Sequence, residues 1–295
     1  MKHHYVPQFL LRRWTDASGK VRTYSVRDDR VTISDLGPRY TGYENRLYAL
    51  AATIAGVGKD HLEKRLFGPI DSNAARALDK LERRVMLSED DQIAWTFFLA
   101  SLRMRQPDVL DFLRAEGRMH LAQTLAELDA ATLPIGDPGS EAWFERNFPG
   151  AIDDTSLTSW LPRIIFNDEV METFGDLNWW WREFEPHVPR LLLSDLPIHW
   201  EGGLRQGDFM IQLPIAPNRV FFGTQAESTE AILSAMEPEQ LVERVNRTSL
   251  AATSRRIWGV PGDPQQDFIT ANLALIGQNV ARFSSYAPWN VAKAD

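Results

Sequence analysis

The chain contains no cysteine, so disulfides, thiolate nucleophiles and cysteine-based metal sites are closed to it. It also lacks any apolar run near the ~20 residues that a membrane-spanning helix needs. Residues 1–14 alternate polar and apolar side chains instead of showing the charged-then-apolar order of a secretory signal. These absences make the cytoplasm the expected location, with no membrane partner. The phosphate-cradling GxxxxGK[ST], a GxGxxG after a strand, HExxH and GxSxG are all missing. The acidic pair Asp153-Asp154 has no neighbours that would make it a metal site, and Asp28-Asp29 reads as part of a turn. No metal ligand is assigned, and cofactor and metal dependence are left open. The net charge of −8 speaks against a nonspecific nucleic-acid binder with a broad basic surface.

What is present is an ordinary globular mixture. Hydrophobic residues make up 44% and charged residues 24% of the 295 positions, enough to bury a sizeable core. Charge is uneven, since residues 1–30 hold seven Lys and Arg against three acidic residues. A local basic region could meet an anionic ligand even though the chain as a whole is acidic.

Residues 21–26 and 30–34 flank the polar turn at Arg27-Asp28-Asp29 and predict a hairpin. Asp60 with Glu63 predicts a capping box ahead of an apolar stripe at Leu62, Leu66, Ile70, Leu78, Leu81 and Val85. Gly68-Pro69 predicts a split of that run into two helices. Ser88 is placed to cap the next helix, with Trp95, Phe98, Leu99 and Leu102 on its apolar face, and Pro107 is placed to end it. Helical patterning continues over 108–130, 140–148 and 156–174. Strands are expected at 179–184, 190–194, 209–214, 219–223 and 256–260, and helices at 238–254 and 266–276. No internal repeat appears. The expectation is one α+β domain over residues 1–295. It would comprise an N-terminal motif and hairpin (1–50), a helical region (59–175), and a strand-rich region with a small mixed or antiparallel sheet and terminal helices (177–295).

The densest chemistry lies in the opening segment MKHHYVPQFLLRRW. It sets His3, His4, Tyr5, Gln8 and Arg12 among Val6, Phe9, Leu10 and Leu11. Histidine suits acid–base work at neutral pH, and arginine suits binding of carboxylate or phosphate. Pro7 favours an extended backbone before it, so the two histidines should point to opposite faces, which disfavours a shared metal.

Four further residues stand inside apolar patterns. Arg105 lies beside the stripe of its helix and needs an acid or carbonyl partner. Ser194 and Asp195 end an apolar strand, with Pro197 fixing the chain beyond them. Asn246 interrupts an apolar helical stripe and needs hydrogen-bond partners. The triple Trp179-Trp180-Trp181 reads better as a strand covered on both faces than as a base-stacking platform.

Taken with the opening HHYVPQFLLRRW, these residues resemble the domain of unknown function 4238 family, a largely bacterial group opening on His-His-Tyr-Val-Pro. The resemblance continues at Leu62-Glu63-Lys64, Arg105-x-Pro107, Ser194-Asp195-x-Pro197, Leu213-Pro214-x-x-Pro217 and Asn246. One departure is Leu102, which stands near a position where the family usually has glutamine. The resemblance implies a shared fold and a shared polar site, and no established activity. Two functions follow as expectations. One is a hydrolase-like, nuclease-like site for a phosphodiester or other anionic substrate, with His3 or His4 as acid/base, Asp195 orienting, and Arg12, Arg105, Tyr5, Gln8, Ser194 and Asn246 binding. The other is a non-catalytic binding or regulatory module, such as one in bacterial phage defence, whose same residues lock the N-terminus into the core. A nucleic acid or nucleotide is the expected partner; oligomeric state is left open.

Overall fold

A computed structural model describes residues 1–27, 30–51, 57–134, 137–204 and 207–278. The chain opens on a short strand, β1 (Lys2–His4), then a single turn of helix, α1 (Gln8–Leu11), that runs into a 3₁₀ turn over Arg12–Trp14. The expected hairpin is present as β2 (Val21–Arg27) and β3 (Arg30–Leu36). Its strands are clasped by Arg22, which donates to both carboxylate oxygens of Asp35 directly opposite, at 2.9 and 3.0 Å. The turn residues Asp28 and Asp29 lie outside the described residues. A three-residue strand, β4 (Tyr43–Asn45), pairs antiparallel with β1.

The predicted capping box at Asp60 and Glu63 does not form. Asp60 pairs with Lys64 at 2.6 Å, and the Glu63 carboxylate is drawn to Tyr48, so neither side chain caps a helix. Nor does Gly68-Pro69 split the run. Residues Glu63–Phe67 form a π-helical segment that passes directly into α2 (Gly68–Glu82), whose second residue is Pro69. The Gly68 amide closes the π turn on the Glu63 carbonyl, and a Cβ at Gly68 would sit 2.8 Å from that oxygen.

Ser88 caps α3 (Glu89–Met104) through a full capping box with Asp91. Pro107 opens α4 (Pro107–Thr132), followed by α5 (Gly139–Asn147), α6 (Ala151–Ile165) and α7 (Asp168–Gly175). The pattern expected over 156–174 is thus two helices, with Pro162 accommodated inside α6.

The strands β5 (Asn178–Glu183), β6 (Leu193–Ser194), β7 (His199–Glu201), β8 (Met210–Ala216) and β9 (Arg219–Thr224) come next. After them follow α8 (Glu227–Ala235), α9 (Pro238–Ala252), β10 (Arg256–Gly259) and α10 (Gln265–Ala271). The strand expected over 190–194 is reduced to Leu193–Ser194. The backbone before it bonds instead to the Asn246 side chain, which accepts from the Leu192 amide (2.8 Å) and donates to the Arg190 carbonyl (3.0 Å).

The architecture is α+β. Strand order is β3-β2-β10-β6 in one sheet and β5-β9-β8-β7 in another, every pairing antiparallel. The first sheet joins strands from the two ends of the sequence across the helical middle. The main core draws residues from all three stretches, among them Trp14, Trp95, Leu113, Phe221 and Trp258. The tryptophan triplet lies on an edge strand, yet the sheet is covered on both faces: Trp179 and Trp181 pack on the main core and Trp180 on a second one. Among the described residues no helix is long and apolar enough to cross a membrane.

Candidate functional site

Pairing of β1 with β4 sets Lys2 opposite Asn45, His3 opposite Glu44 and His4 opposite Tyr43. Strand alternation then sends the two histidines to opposite faces. Gly42 holds the entry to this pair in a left-handed conformation (φ 64°), and its carbonyl accepts the amides of Tyr5 and Val6 at 3.0 and 3.2 Å.

His3 faces inward and is fully buried. Its Nδ1 accepts from the Tyr48 amide at 3.1 Å, and its ring lies on the Tyr48 ring at 4.3 Å and 15°. Burial pushes this imidazole below its ordinary pKa, against the opposing pull of Glu63. A neutral ring accepting at Nδ1 carries its proton on Nε2. That buried Nε2 finds no hydrogen-bond partner among the described residues. The stack continues inward. Tyr48 packs on Phe67 at 4.7 Å, and the Arg105 guanidinium lies over the other ring neighbour, 4.7 Å from the Phe67 centroid.

Arg105, itself fully buried, donates to Asp71 at 2.9 and 3.2 Å and to the Ser101 hydroxyl at 2.7 Å. The acid that Arg105 required is therefore Asp71. The Tyr48 hydroxyl donates toward Glu63 Oε2 (2.8 Å) and lies 3.2 Å from the His4 carbonyl. Burial, with Glu63 adding to it, pushes the Tyr48 hydroxyl well above its usual pKa. Glu63 and Phe67 both stand on the π-helical segment, an arrangement often found where a helix must present a functional group.

His4 faces outward and is partly buried. Its Nδ1 lies 3.4 Å from Gln8 Nε2, and its ring meets Tyr43 at 5.6 Å. Burial holds its pKa down at about 4, with Lys2 and Arg12 among the neighbouring charges that help. The Arg12 side chain is exposed. On this side Lys2 Nζ sits over the rings of Tyr43 (4.2 Å) and Tyr40 (4.6 Å), and Arg39 lies over Tyr40 (4.5 Å).

Tyr5, Ser194 and Asp195 belong to a different group. Asp195 is 3% exposed and accepts the amides of Ser254 (2.9 Å), Arg255 (2.6 Å) and Arg256 (2.9 Å), with the Ser254 hydroxyl at 3.2 Å. It anchors the start of β10. Complete burial raises its pKa, and the three backbone hydrogen bonds pull the other way. Ser194 donates to the Leu196 carbonyl at 2.5 Å. Arg256 reaches back to the Tyr5 hydroxyl at 2.9 Å, linking β10 to the opening segment. Burial raises the Tyr5 pKa, and Arg256 opposes the rise. Asn246 braces the backbone of 190–192, as described above, and Trp14 donates to the Leu191 carbonyl at 2.9 Å.

The structure thus brings His3 and Arg105 into one stack and sets His4, Gln8 and Arg12 on the opposite face. It keeps Asp195, Ser194 and Asn246 at the joints of the C-terminal strands. Sequence reasoning did not single out Tyr48, Phe67 or Asp71, whose only signal was the demand of Arg105 for an acid. Among the described residues no group of three or more His, Asp or Glu could hold a metal ion.

Fold and site together define an α+β protein whose opening strand is wedged between its helices and its C-terminal strands. Residues 2–263 match the family model described as "Protein of unknown function (DUF4238)", and the chain belongs to that family. No curated protein and no solved structure matches the chain.

Proposed function

We propose that the chain is a non-catalytic binding module in which the inner face of β1 is a structural lock and the outer face engages a nucleic acid or nucleotide. The observation that carries this reading is the division of the two histidines. His3 is sealed in a stack with Tyr48, whereas His4 shares an accessible face with Lys2, Gln8, Arg12, Arg39, Tyr40 and Tyr43. Cations interleaved with tyrosines suit a ligand that carries both phosphates and bases. Tyr40 is 48% exposed and can offer its ring for stacking. His4, held neutral near pH 7 and with its Nε2 buried, adds no charge to this face. The basic face on an acidic chain directs an anion to this place. A cytoplasmic setting and a part in bacterial defence against phage belong to the same reading.

Fluorescence anisotropy with labelled single-stranded DNA and RNA, at low and raised salt, tests it. Wild type should bind, and Tyr40→Ala should weaken binding about tenfold, as loss of one stacked base predicts. No binding by wild type, or binding indifferent to Tyr40→Ala and Lys2→Ala, would remove the proposal.

One observation favours a second reading, the hydrolase-like one. The His3 Nε2 has no partner among the described residues, so a phosphodiester oxygen brought to it by an opening of the stack would meet a hydrogen-bond donor. Cleavage of pooled DNA or RNA that disappears in His3→Gln while the variant stays folded would select this reading over the first.

A further inference from the structure

A second place in the fold has an unfilled complement of charges. The ends of β7 and β8 and the helices α8 and α9 enclose an open cleft of about 370 Å³, within the ~300–1,000 Å³ range of small-molecule sites. Its floor is apolar, formed by the buried Met210 and Leu233, while Ile232, 67% exposed, stands at its rim. Its polar lining includes Glu201, Asp208 and Arg244.

Arg244 spends one nitrogen on Glu201, Nη2 lying 3.1 and 2.9 Å from the two carboxylate oxygens. Its Nε is buried and has no hydrogen-bond partner among the described residues. A buried guanidinium N–H left without an acceptor is costly, and such groups ask for a partner that the protein itself does not supply. Asp208 presents the opposite deficiency: it is exposed, lines the cleft, and forms no ion pair among the described residues. Burial pushes the nearby His199 imidazole, 3.6 Å from Glu201, below its ordinary pKa. The neutral ring therefore adds no positive charge to the site. Among the described residues, then, Arg244 has its charge met by Glu201 but its Nε lacks an acceptor, Asp208 lacks a cation, and the floor is apolar.

We propose that this cleft binds a small zwitterion with an aliphatic tail, of the class of α-amino acids such as leucine. Its carboxylate meets Arg244, its ammonium meets Asp208, and its side chain covers Met210 and Leu233. A simple amine would leave Arg244 unsatisfied, and a simple carboxylate would leave Asp208 unpaired. The zwitterion answers both. This site is separate from the N-terminal face and stands or falls independently of it.

Isothermal titration calorimetry on the full chain tests the proposal with three probes: L-leucine, isopentylamine, which lacks the carboxylate, and 4-methylvalerate, which lacks the amine. L-leucine should bind, and each partial probe should bind about tenfold more weakly or worse, as expected for loss of one charge-assisted contact. Asp208→Asn, at an exposed position, should weaken L-leucine about tenfold and leave 4-methylvalerate unchanged. Arg244→Gln should abolish the preference for leucine over isopentylamine; if that variant does not fold, Asp208→Asn alone decides. No heat with L-leucine, isopentylamine binding as tightly as leucine, or indifference to Asp208→Asn would overturn it.

Discussion

His3 and His4 are consecutive, chemically identical, and placed in opposite roles. The backbone of β1 turns one imidazole into a ring stack that ends on a buried ion pair, and turns the other toward tyrosines and surface cations. Both rings are held neutral by burial, so charge does not separate them. What separates them is the number of fixed partners. His3 is held by an amide, a stacked tyrosine and a sealed core, and removing it leaves those partners unmatched. His4 leans on Gln8 and Tyr43, both half-buried, and its Nε2 is buried. Doubled histidines in an extended segment therefore read as one structural and one available residue, not as a chelating pair.

The comparison can be broken most forcefully at the far end of the inner stack. Arg105→Leu leaves the half-buried Asp71 without its partner and should cost about 3 kcal/mol in urea denaturation, the low end of the cost of breaking a buried pair, because water reaches part of that carboxylate. A loss comparable to an ordinary surface change would show that the stack does not lock the strand. Gly68→Ala acts on the same side through the π turn. Its Cβ would press on the Glu63 carbonyl and should cost about 1–3 kcal/mol while displacing Glu63 from Tyr48. Thermal or chemical denaturation reads the loss, and a neutral or stabilising result would contradict the tight closure.

Acid sharpens the contrast further. Both histidines have folded-state pKa values below the ordinary 6.5, His4 at about 4. Between those values the unfolded chain takes up protons that the folded chain refuses. Stability supplied by these rings is therefore complete above pH ~6.5 and falls as pH drops toward ~4. His4→Gln should remove part of that slope and leave the part due to His3. A slope unchanged by His4→Gln would show that His4 is not held as described. The smallest effect belongs to the outer face. Arg12→Ala should alter stability by less than about 0.5 kcal/mol yet lower the salt dependence of nucleic-acid binding by roughly one unit of slope. Unchanged slope, or a large loss of stability, would move Arg12 to the structural side.

Much of this organisation is legible in the residues. The α+β class, the hairpin at 21–34, the Ser88 cap and the helix boundary at Pro107 follow from local signals, because turn chemistry and capping act within a few positions. The opposite facing of His3 and His4 follows from Pro7 and strand alternation. The errors share a cause. Glu63 fits a capping box by spacing, but its carboxylate is claimed by Tyr48, fifteen positions away in sequence. Leu191-Leu192 looks like strand, but Asn246 takes the backbone bonds a neighbouring strand would have made. Arg105 announced its need for an acid without naming Asp71, which lies thirty-four positions earlier. Strands β4 and β7 are three residues long, too short to display alternation. The cleft beside α8 was invisible for a similar reason, since Glu201, Asp208 and Arg244 form no motif until the fold gathers them.

The central claim is that the inner face of β1 locks the fold while the outer face does not. Parallel urea denaturation of wild type, His3→Ala and His4→Ala tests it most directly. His3→Ala vacates a sealed stack and strips the Tyr48 amide of its acceptor, so it should cost about 2–4 kcal/mol. His4→Ala, beside solvent and a replaceable glutamine contact, should cost less than about 1 kcal/mol. Equal losses, or a greater loss for His4→Ala, would contradict the account.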